Sequence, residues 1–332
     1  MPANLPPQYY DEERKLKAAR SPEEKAAILE LLLSMIPKHK GTEKLQADLK
    51  SRLSKARAQQ QQRRAGGGAA KKADEHHVEK EGAGQVALAG LPNAGKSQLL
   101  AAITNAVPLV AEYPYSTLKP LPGMARFENV WVQFVDLPPL MWEPTDRWVA
   151  NVLRQADALC LVVDLTDDPL GQVEILLEEI EGMKVRPLAR QEDRVEVPAG
   201  VVAKRPFLAG NKLDVPGAEE ALAQLSRTYG DSYPVVGVSA KQGRGLEVLV
   251  AQGFHCLGKI RVYTKAPSKS PDREHPFVVP AGTTVIEMAA EIHKDFVARF
   301  RAARLYCADK YNGQRVGKDF VLRDGDVIEF LV

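Results

Sequence analysis

The sequence has few cysteines and no long apolar segment, and both shortages narrow the class of protein. Its three cysteines, Cys160, Cys256 and Cys307, lie far apart, and none belongs to a CxxC pair. This spacing indicates neither a disulfide framework nor a zinc site, and it favours a reducing compartment. The longest apolar runs, such as residues 28–36, are well short of a membrane span. Because the N-terminus also lacks a basic region followed by an apolar stretch, we expect a cytoplasmic protein.

The charge of the chain is nearly balanced overall but unevenly distributed. With 332 residues, 45% of them hydrophobic, the chain is long enough for about two domains with ordinary cores. Residues 1–72 carry a net charge of +8, residues 73–257 carry −9 and residues 258–332 carry +3. An acidic middle between basic ends predicts separate modules, with ends that contact a polyanion.

The first 64 residues have the pattern of a basic helical hairpin. A helix-start sequence at residues 21–24 and leucines at every fourth position over 45–53 predict two helices. Residues 38–72 contain eleven basic side chains and two acidic ones, a composition that suits either a nucleic-acid contact or a solvated helix face. Residues 65–84, which include a glycine run, predict a flexible linker.

The section from residue 85 to residue 257 alternates apolar runs with amphipathic stretches, which predicts a doubly wound, mostly parallel α/β sheet. The phosphate-loop motif at residues 90–97 makes it a P-loop domain. The predicted strands cover residues 85–89, 130–135, 158–163, 206–209 and 235–238, and the predicted helices lie at or near residues 95, 148–155, 171–181, 218–229 and 245. For residues 186–204 we predict a hairpin or a loop.

Residues 258–332 have a different sequence pattern, which predicts short strands around one helix. The predicted strands cover residues 259–263, 277–279, 305–307 and 327–331, and the predicted helix covers residues 284–298. This order predicts a small β-grasp-like α+β domain. We find no catalytic constellation in this part of the sequence.

Residues 90–97 match the phosphate-loop pattern GxxxxGK[ST] between an apolar strand and a helix. Glycines let the backbone wrap a phosphate, and the N-terminus of the helix adds a favourable dipole. Lys96 is expected to reach the β- and γ-phosphates, and the Ser97 hydroxyl is expected to bind Mg²⁺.

A guanine-specific motif, Asn211-Lys212-Leu213-Asp214, follows a later apolar strand. The carboxylate of Asp214 can accept hydrogen bonds from both N1–H and the exocyclic amine of guanine, a donor pair that adenine does not offer. Ser239-Ala240-Lys241 follows the next strand, where a backbone N–H can meet guanine O6. The order of these motifs predicts a guanine-nucleotide site.

Together these motifs resemble the Obg and DRG branch of the translation-factor-class GTPases, and the developmentally regulated GTP-binding (DRG) type in particular. The likeness is carried by residues 90–97, 113–118 and 136–138, the two guanine motifs, and three segments similar to a TGS domain at residues 260–265, 292–294 and 316–319. It covers roughly residues 20–332 and implies a GTPase domain followed by a TGS domain, acting on ribosomes or RNA–protein assemblies. Only residues 165–210 separate Asp164 from Asn211, so the family's insertion is absent or much shortened.

The resemblance assigns roles to individual positions. The residues expected to bind nucleotide are Gly90, Pro92, Asn93, Ala94, Gly95, Lys96, Ser97, Gln98, Asn211, Lys212, Asp214, Ser239, Ala240 and Lys241. Thr117, or alternatively Ser116, would complete Mg²⁺ coordination beside Ser97, and Asp136 would hold the metal through water. Asn93 would bind a potassium ion near the phosphates, as in potassium-stimulated relatives; alternatively, it stabilises the turn of the loop.

Two positions depart from the common GTPase pattern. Pro139 stands where the DxxG motif has a glycine whose N–H senses the γ-phosphate, and proline has no N–H. Leu140 stands where many GTPases have a glutamine that orients water, as in other hydrophobic-substituted members of the class. We therefore expect slow GTP hydrolysis that needs potassium or a stimulating partner protein. The alternative is a nucleotide-stabilised scaffold with little or no hydrolysis.

Overall fold

A computed structural model of the chain describes residues 28, 29, 32, 76–104, 119–140, 147–192, 196–267, 269–306 and 312–331. The chain divides into two compact units, residues 1–76 and residues 77–332. Within the predicted hairpin the described positions are Ile28, Leu29 and Leu32, which are helical, and the rest of the hairpin lies outside the described residues. None of the described helices is long and apolar enough to cross a membrane. The elements below belong to the second unit.

A twisted α/β sheet occupies the first part of this unit. Its strands and the two short strands beside it are β1 (Gln85–Gly90), β2 (Leu121–Phe127), β3 (Val130–Asp136), β4 (Ala158–Asp164), β5 (Val185–Pro187), β6 (Val202–Lys204), β7 (Pro206–Asn211) and β8 (Val235–Gly237). Among the described residues, six strands pair in the order β2-β3-β1-β4-β7-β8. All neighbours in this sheet are parallel except β2 and β3. The predicted doubly wound, mostly parallel sheet is confirmed.

Helices cover both faces of the sheet because its strands are apolar on both sides. The helices are α1 (Lys96–Ile103), α2 (Arg147–Gln155), α3 (Pro169–Gly182), α4 (Ala218–Tyr229) and α5 (Leu246–Cys256). Alternate residues of β1 point to opposite cores: Val86 and Leu88 pack with α1 and α5, whereas Ala87 and Ala89 pack with α2, α3 and α4. The carboxyl ends of the parallel strands meet at one edge, where doubly wound sheets bind their ligands.

Two features of this region differ from the prediction. The edge strand β2 was not predicted, because Pro122 and Gly123 interrupt its pattern; proline is tolerated there because an edge strand leaves one side of its backbone unpaired. The segment predicted as a hairpin or a loop instead places β5 and β6 in a parallel pair. A parallel pair needs a crossover between its strands, and the chain between residues 188 and 201 supplies it.

The C-terminal part has the β-grasp-like α+β arrangement that the sequence predicts. Its elements are β9 (Lys259–Thr264), β10 (Phe277–Pro280), α6 (Val285–Ile292), α7 (Lys294–Ala298), β11 (Ala302–Tyr306), β12 (Asn312–Val316) and β13 (Val327–Leu331). Within the described ranges, its sheet has the order β10-β9-β13-β11-β12. Its core lies between the sheet and α6, with Val262, Met288 and Ile328 fully buried.

The helix predicted over residues 284–298 is broken. His293 has an extended backbone (φ −169°), and its ring Nδ1 accepts a hydrogen bond from the Asp295 amide at 3.1 Å, so it caps a new short helix, α7. The strand predicted over residues 305–307 begins earlier, at Ala302, and β12 was not predicted.

Candidate guanine-nucleotide site

The phosphate loop leaves the end of β1 and enters α1 through two left-handed residues. Asn93 has φ 59°, and Gly95, the residue before α1, has φ 86°. A Cβ at Gly95 would lie 2.4 Å from the Asn211 side-chain nitrogen, and a Cβ at Gly90 would lie 2.6 Å from the Val162 carbonyl oxygen. Both glycines are therefore required by close approach, and Gly95 also by its backbone conformation.

Lys96 lies buried beneath this loop. Its Nζ donates hydrogen bonds to the carbonyl oxygens of Gly90 at 3.1 Å and Leu91 at 3.2 Å. Burial lowers the pKa of Lys96 from 10.5 to about 8, and the nearby carboxylate of Asp136 offsets part of that effect. The ammonium is therefore held inside the loop by these two carbonyl oxygens.

Ser97 and Asp136 bring a hydroxyl and a carboxylate together at the start of α1. The Ser97 hydroxyl donates to Asp136 Oδ2 at 2.5 Å. Asp136 is the last residue of β3 and is fully buried, and the register of β1 with β3 pairs it with Leu88, two residues before the phosphate loop. These are the hard oxygen donors that Mg²⁺ binds in nucleotide sites, so the residues present fit that ion.

Asn211 joins the phosphate loop to the loop after β8. Its Nδ2 donates to the Ala94 carbonyl oxygen at 2.9 Å, and its Oδ1 accepts from the Ala240 amide at 3.2 Å. The residue is 1% exposed. Two predicted motifs that are 117 residues apart in sequence are thus connected by one buried side chain.

Asp214 and Ser239, which belong to the two predicted guanine motifs, are joined by a hydrogen bond. The Ser239 hydroxyl donates to Asp214 Oδ1 at 2.6 Å and accepts from the Gln242 amide at 3.0 Å. The hydrogen bond from Ser239 is the main reason that the pKa of Asp214 lies below its usual value. The carboxylate is therefore charged and oriented before any base is bound.

Lys212 has a partner that sequence reasoning missed. Its backbone is left-handed (φ 66°), and its ammonium forms an ion pair with Asp164 at the end of β4. Asp164 Oδ1 also accepts from the Thr166 amide at 2.9 Å. The predicted strands could have indicated this contact, because Asp164 and Asn211 end adjacent parallel strands and are register partners.

The segment after Asp136 is apolar and turned inward. Leu140 is fully buried in the core beside α2 and α3, and its amide donates to the Gly90 carbonyl oxygen at 3.4 Å. Pro138 and Pro139, which precede it, have no amide hydrogen to offer a phosphate.

The remaining predicted site residues fall into two groups. Asn93, Gln98 and Lys241 are exposed, while Pro92 is partly exposed beside them. Thr117 and Ser116 lie outside the described residues. In the part of the chain that the structure describes, no group of three or more His, Cys, Asp and Glu side chains forms a separate metal cluster.

Two family models match separate parts of the chain. Residues 85–195 match the model of the 50S ribosome-binding GTPase family, and residues 260–332 match the model of the TGS domain. A solved GTP-binding protein from Pyrococcus horikoshii shares the fold, with a TM-score of 0.50 and 17% identity over 74% of this chain and 99% of that one.

Curated relatives resemble the chain along most of its length. A GTP-binding protein of Methanocaldococcus jannaschii is 30% identical over 93% of each chain. Developmentally-regulated GTP-binding protein 1 of Xenopus laevis is 26% identical (92% of this chain, 97% of the relative), and Ribosome-interacting GTPase 1 of Saccharomyces cerevisiae is 25% identical (93% and 98%). The alignment with the archaeal relative spans 368 positions, more than the 332 residues of this chain. The archaeal protein therefore has segments without a counterpart here.

Proposed function

The chain belongs to the DRG type of GTPases and ends in a TGS domain, and on this premise we propose that it is a slow, Mg²⁺-dependent, potassium-stimulated switch on ribosomes or other RNA–protein assemblies. We assign residues 1–64 to a basic helical hairpin, 65–84 to a linker, 85–257 to the GTPase domain and 258–332 to the TGS domain. The switch would act in the cytoplasm.

The observation that carries the proposal is the bridge made by Asn211. Because this buried side chain bonds both the phosphate loop and the loop of residues 239–241, the phosphate and base ends of a nucleotide would be bound by one connected structure. Lys96 and the loop amides would bind the phosphates, and Asp214 with a backbone N–H of the loop at residues 239–241 would recognise guanine. Lys212 would pack beside the base, held by Asp164.

Ser97 would bind Mg²⁺ directly and Asp136 would hold it through water. Thr117, or alternatively Ser116, would join them when a γ-phosphate is present. The ion, when bound, supplies positive charge that neutralises the phosphates. Asp136 is positioned for this role by β3, and Ser97 by the first turn of α1.

Slow hydrolysis follows from the inward position of Leu140. A buried leucine side chain cannot orient an attacking water, and Pro139 cannot donate to the γ-phosphate. Asn93 is exposed in the phosphate loop and would hold a potassium ion there, which would take the place of an arginine finger.

Contact with RNA is supported by the C-terminal sheet. Arg304 on β11 is the register partner of Arg315 on β12. On its other side, Arg304 pairs with Glu329 on β13. Like charges placed directly opposite each other repel, so a row with two arginines and one carboxylate suits a phosphate backbone. The name of the yeast relative describes it as ribosome-interacting, and we propose the same partner here. A partner protein that stimulates hydrolysis is part of the proposal.

Single-turnover hydrolysis of GTP tests this function. The rate is measured with Mg²⁺ in potassium and in sodium, with and without ribosomes, for the native chain, Asn93→Ala and Lys96→Ala. We expect potassium and ribosomes each to raise the native rate, Asn93→Ala to lose only the potassium effect, and Lys96→Ala to lose nucleotide binding. Equal rates in potassium and sodium would remove the ion from the mechanism. Tight GTP binding without hydrolysis in any condition would favour the nucleotide-stabilised scaffold.

Ribosome binding is tested separately by its salt dependence. If phosphate contacts contribute, affinity falls with salt, and the double variant Arg304→Ala/Arg315→Ala reduces the slope by about 2, one for each arginine removed. Glu220→Ala, on the exposed face of α4, is the control. A slope unchanged by the double variant would exclude this face from RNA binding.

A further inference from the structure

The turn between β2 and β3 contacts the C-terminal domain. Phe127 pairs with Val130, so Glu128 and Asn129 form a two-residue hairpin turn. Glu128 has φ 49°, a left-handed conformation for which such turns favour glycine. A side chain that occupies this strained position needs a compensating contact.

Arg261 on β9 provides that contact. Its guanidinium forms an ion pair with Glu128 of the turn and another, at 2.8 Å, with Asp324 of its own domain. The same group lies 4.8 Å from the centroid of the Phe127 ring and 5.5 Å from that of Phe254. The Arg261 side chain is 8% exposed, so the two carboxylates and two rings enclose it.

A second set of contacts fixes the orientation of the turn. Asn129 Nδ2 donates to the Tyr263 hydroxyl at 2.8 Å and to the Arg273 carbonyl oxygen at 2.7 Å. Lys259 donates to the Ala83 carbonyl oxygen at 2.6 Å, and the Ala83 amide in turn donates to the Trp131 carbonyl oxygen of β3 at 2.7 Å. Three residues of β9, at positions 259, 261 and 263, therefore face the hairpin and its neighbouring strand.

The other end of this hairpin is the nucleotide site. Seven consecutive register pairs run from Phe127 and Val130 at the turn to Leu121 and Asp136. Asp136 is the carboxylate that accepts from Ser97 at the phosphate loop. A fully paired two-stranded segment thus connects the candidate Mg²⁺ position to the docking contacts of the C-terminal domain.

We propose that the β2–β3 hairpin couples the nucleotide bound at Asp136 to the docking of the C-terminal domain, so that this domain regulates the relative affinity for GTP and GDP. The proposal rests on the proposed function, because it requires guanine nucleotide binding. Coupling between two sites is reciprocal: if the nucleotide alters docking, then weakening the docking must alter nucleotide affinity by the same factor.

The turn offers a way to weaken docking without disturbing the C-terminal fold. Glu128→Ala/Asn129→Ala removes both side chains from the GTPase side, while Arg261 keeps its ion pair with Asp324 inside its own domain. Glu220→Ala, far along the chain on the exposed face of α4, is the matched control.

Two quantities are measured on the full chain: the affinities for GDP and for a non-hydrolysable GTP analogue, and amide hydrogen exchange in β9 with each nucleotide. In the native protein and in Glu220→Ala, we expect exchange in β9 to differ between the two nucleotides. In the double variant we expect this difference to disappear and the ratio of the two affinities to change by at least about 5-fold, the lower end of typical coupling.

An affinity ratio that stays within about 2-fold of the native ratio while exchange in β9 rises would overturn the coupling and reduce the interface to a structural contact. So would native exchange in β9 that is identical with both nucleotides. If the double variant remains docked, Arg261→Glu replaces it, and the affinity ratio and the exchange in β9 are judged in the same way. A native chain that binds neither nucleotide would refute the proposed function as well as the coupling. This outcome is distinct from a failure of the coupling alone, in which the native chain binds both nucleotides.

Discussion

The two ends of the proposed nucleotide site differ in how far the chain itself organises them. At the base end, Asn211, Ser239 and Asp214 are joined to neighbouring loops by hydrogen bonds of 2.6–3.2 Å. At the γ-phosphate end, Pro139 has no amide hydrogen and the buried Leu140 amide donates to Gly90. If the proposed function holds, this difference means that guanine recognition would be preorganised, whereas hydrolysis would depend on an ion or a partner.

The largest effect is expected from Asp214→Asn, which would break the preorganised end. An amide in place of the carboxylate cannot accept from both guanine donors, so GTP affinity should fall by at least about 100-fold. The asparagine can instead donate to the O2 carbonyl of xanthine, so binding of xanthosine triphosphate should improve. Equilibrium titration with GTP and with xanthosine triphosphate measures both changes in affinity.

Glu220→Gln is the control for the loss of a carboxylate outside the site. If Asp214→Asn kept native GTP affinity, the base end would not read guanine through this residue, and the comparison between the two ends would fail.

A smaller effect is expected from Leu140→Gln, at the γ-phosphate end of the site. Because Leu140 is fully buried in the core, the glutamine amide would lose its hydration, and we expect the free energy of unfolding to fall by about 2–4 kcal/mol without faster hydrolysis. Urea denaturation and single-turnover hydrolysis measure the two quantities. Leu140→Met, which conserves volume, should cost less than about 1.5 kcal/mol.

Faster hydrolysis in Leu140→Gln with little loss of stability would mean that residue 140 faces the γ-phosphate. The inward position of this segment would then not explain slow turnover.

The smallest effect is expected from pH. Burial holds the pKa of Lys96 at about 8, and a bound phosphate would raise it, so nucleotide binding should take up a proton as pH rises above 8. GTP affinity should be nearly constant at pH 6–7 and fall by at most about 10-fold per pH unit above pH 8. Calorimetry of the native chain in buffers of different ionisation enthalpy, at pH 6–7 and above pH 8, measures the uptake. Proton uptake that is the same in both pH ranges would remove Lys96 from the phosphate contacts.

The sequence predicted the fold where its pattern is local. Apolar runs such as Ala158–Asp164 and the helix at Ala218–Tyr229 have one periodicity throughout, so their type was predictable. β2 was missed because Pro122 and Gly123 break its alternation, and the break at His293 was missed because it depends on a side-chain cap. The parallel pairing of β5 with β6 depends on tertiary contacts, which no local pattern encodes.

The candidate site shows the same division. Gly95, Lys96, Asn211 and Asp214 belong to motifs, and the structure brings them together at one edge of the sheet. The partner of Lys212, Asp164, is separated from it by 48 residues, and the contact of Arg261 with Glu128 spans 133 residues. Such pairs arise from strand order and domain docking, so they could be found only once the fold was known.

The most direct test of the central claim measures binding and hydrolysis on one sample of the native chain. Equilibrium titration gives the affinities for GTP and ATP, and single-turnover kinetics without ribosomes or a partner gives the hydrolysis rate. We predict that GTP binds at least about 1,000-fold more tightly than ATP, with a rate below about 10⁻² s⁻¹. Comparable affinities for the two nucleotides, or rapid hydrolysis by the chain alone, would contradict an organised base end and an incomplete γ-phosphate end.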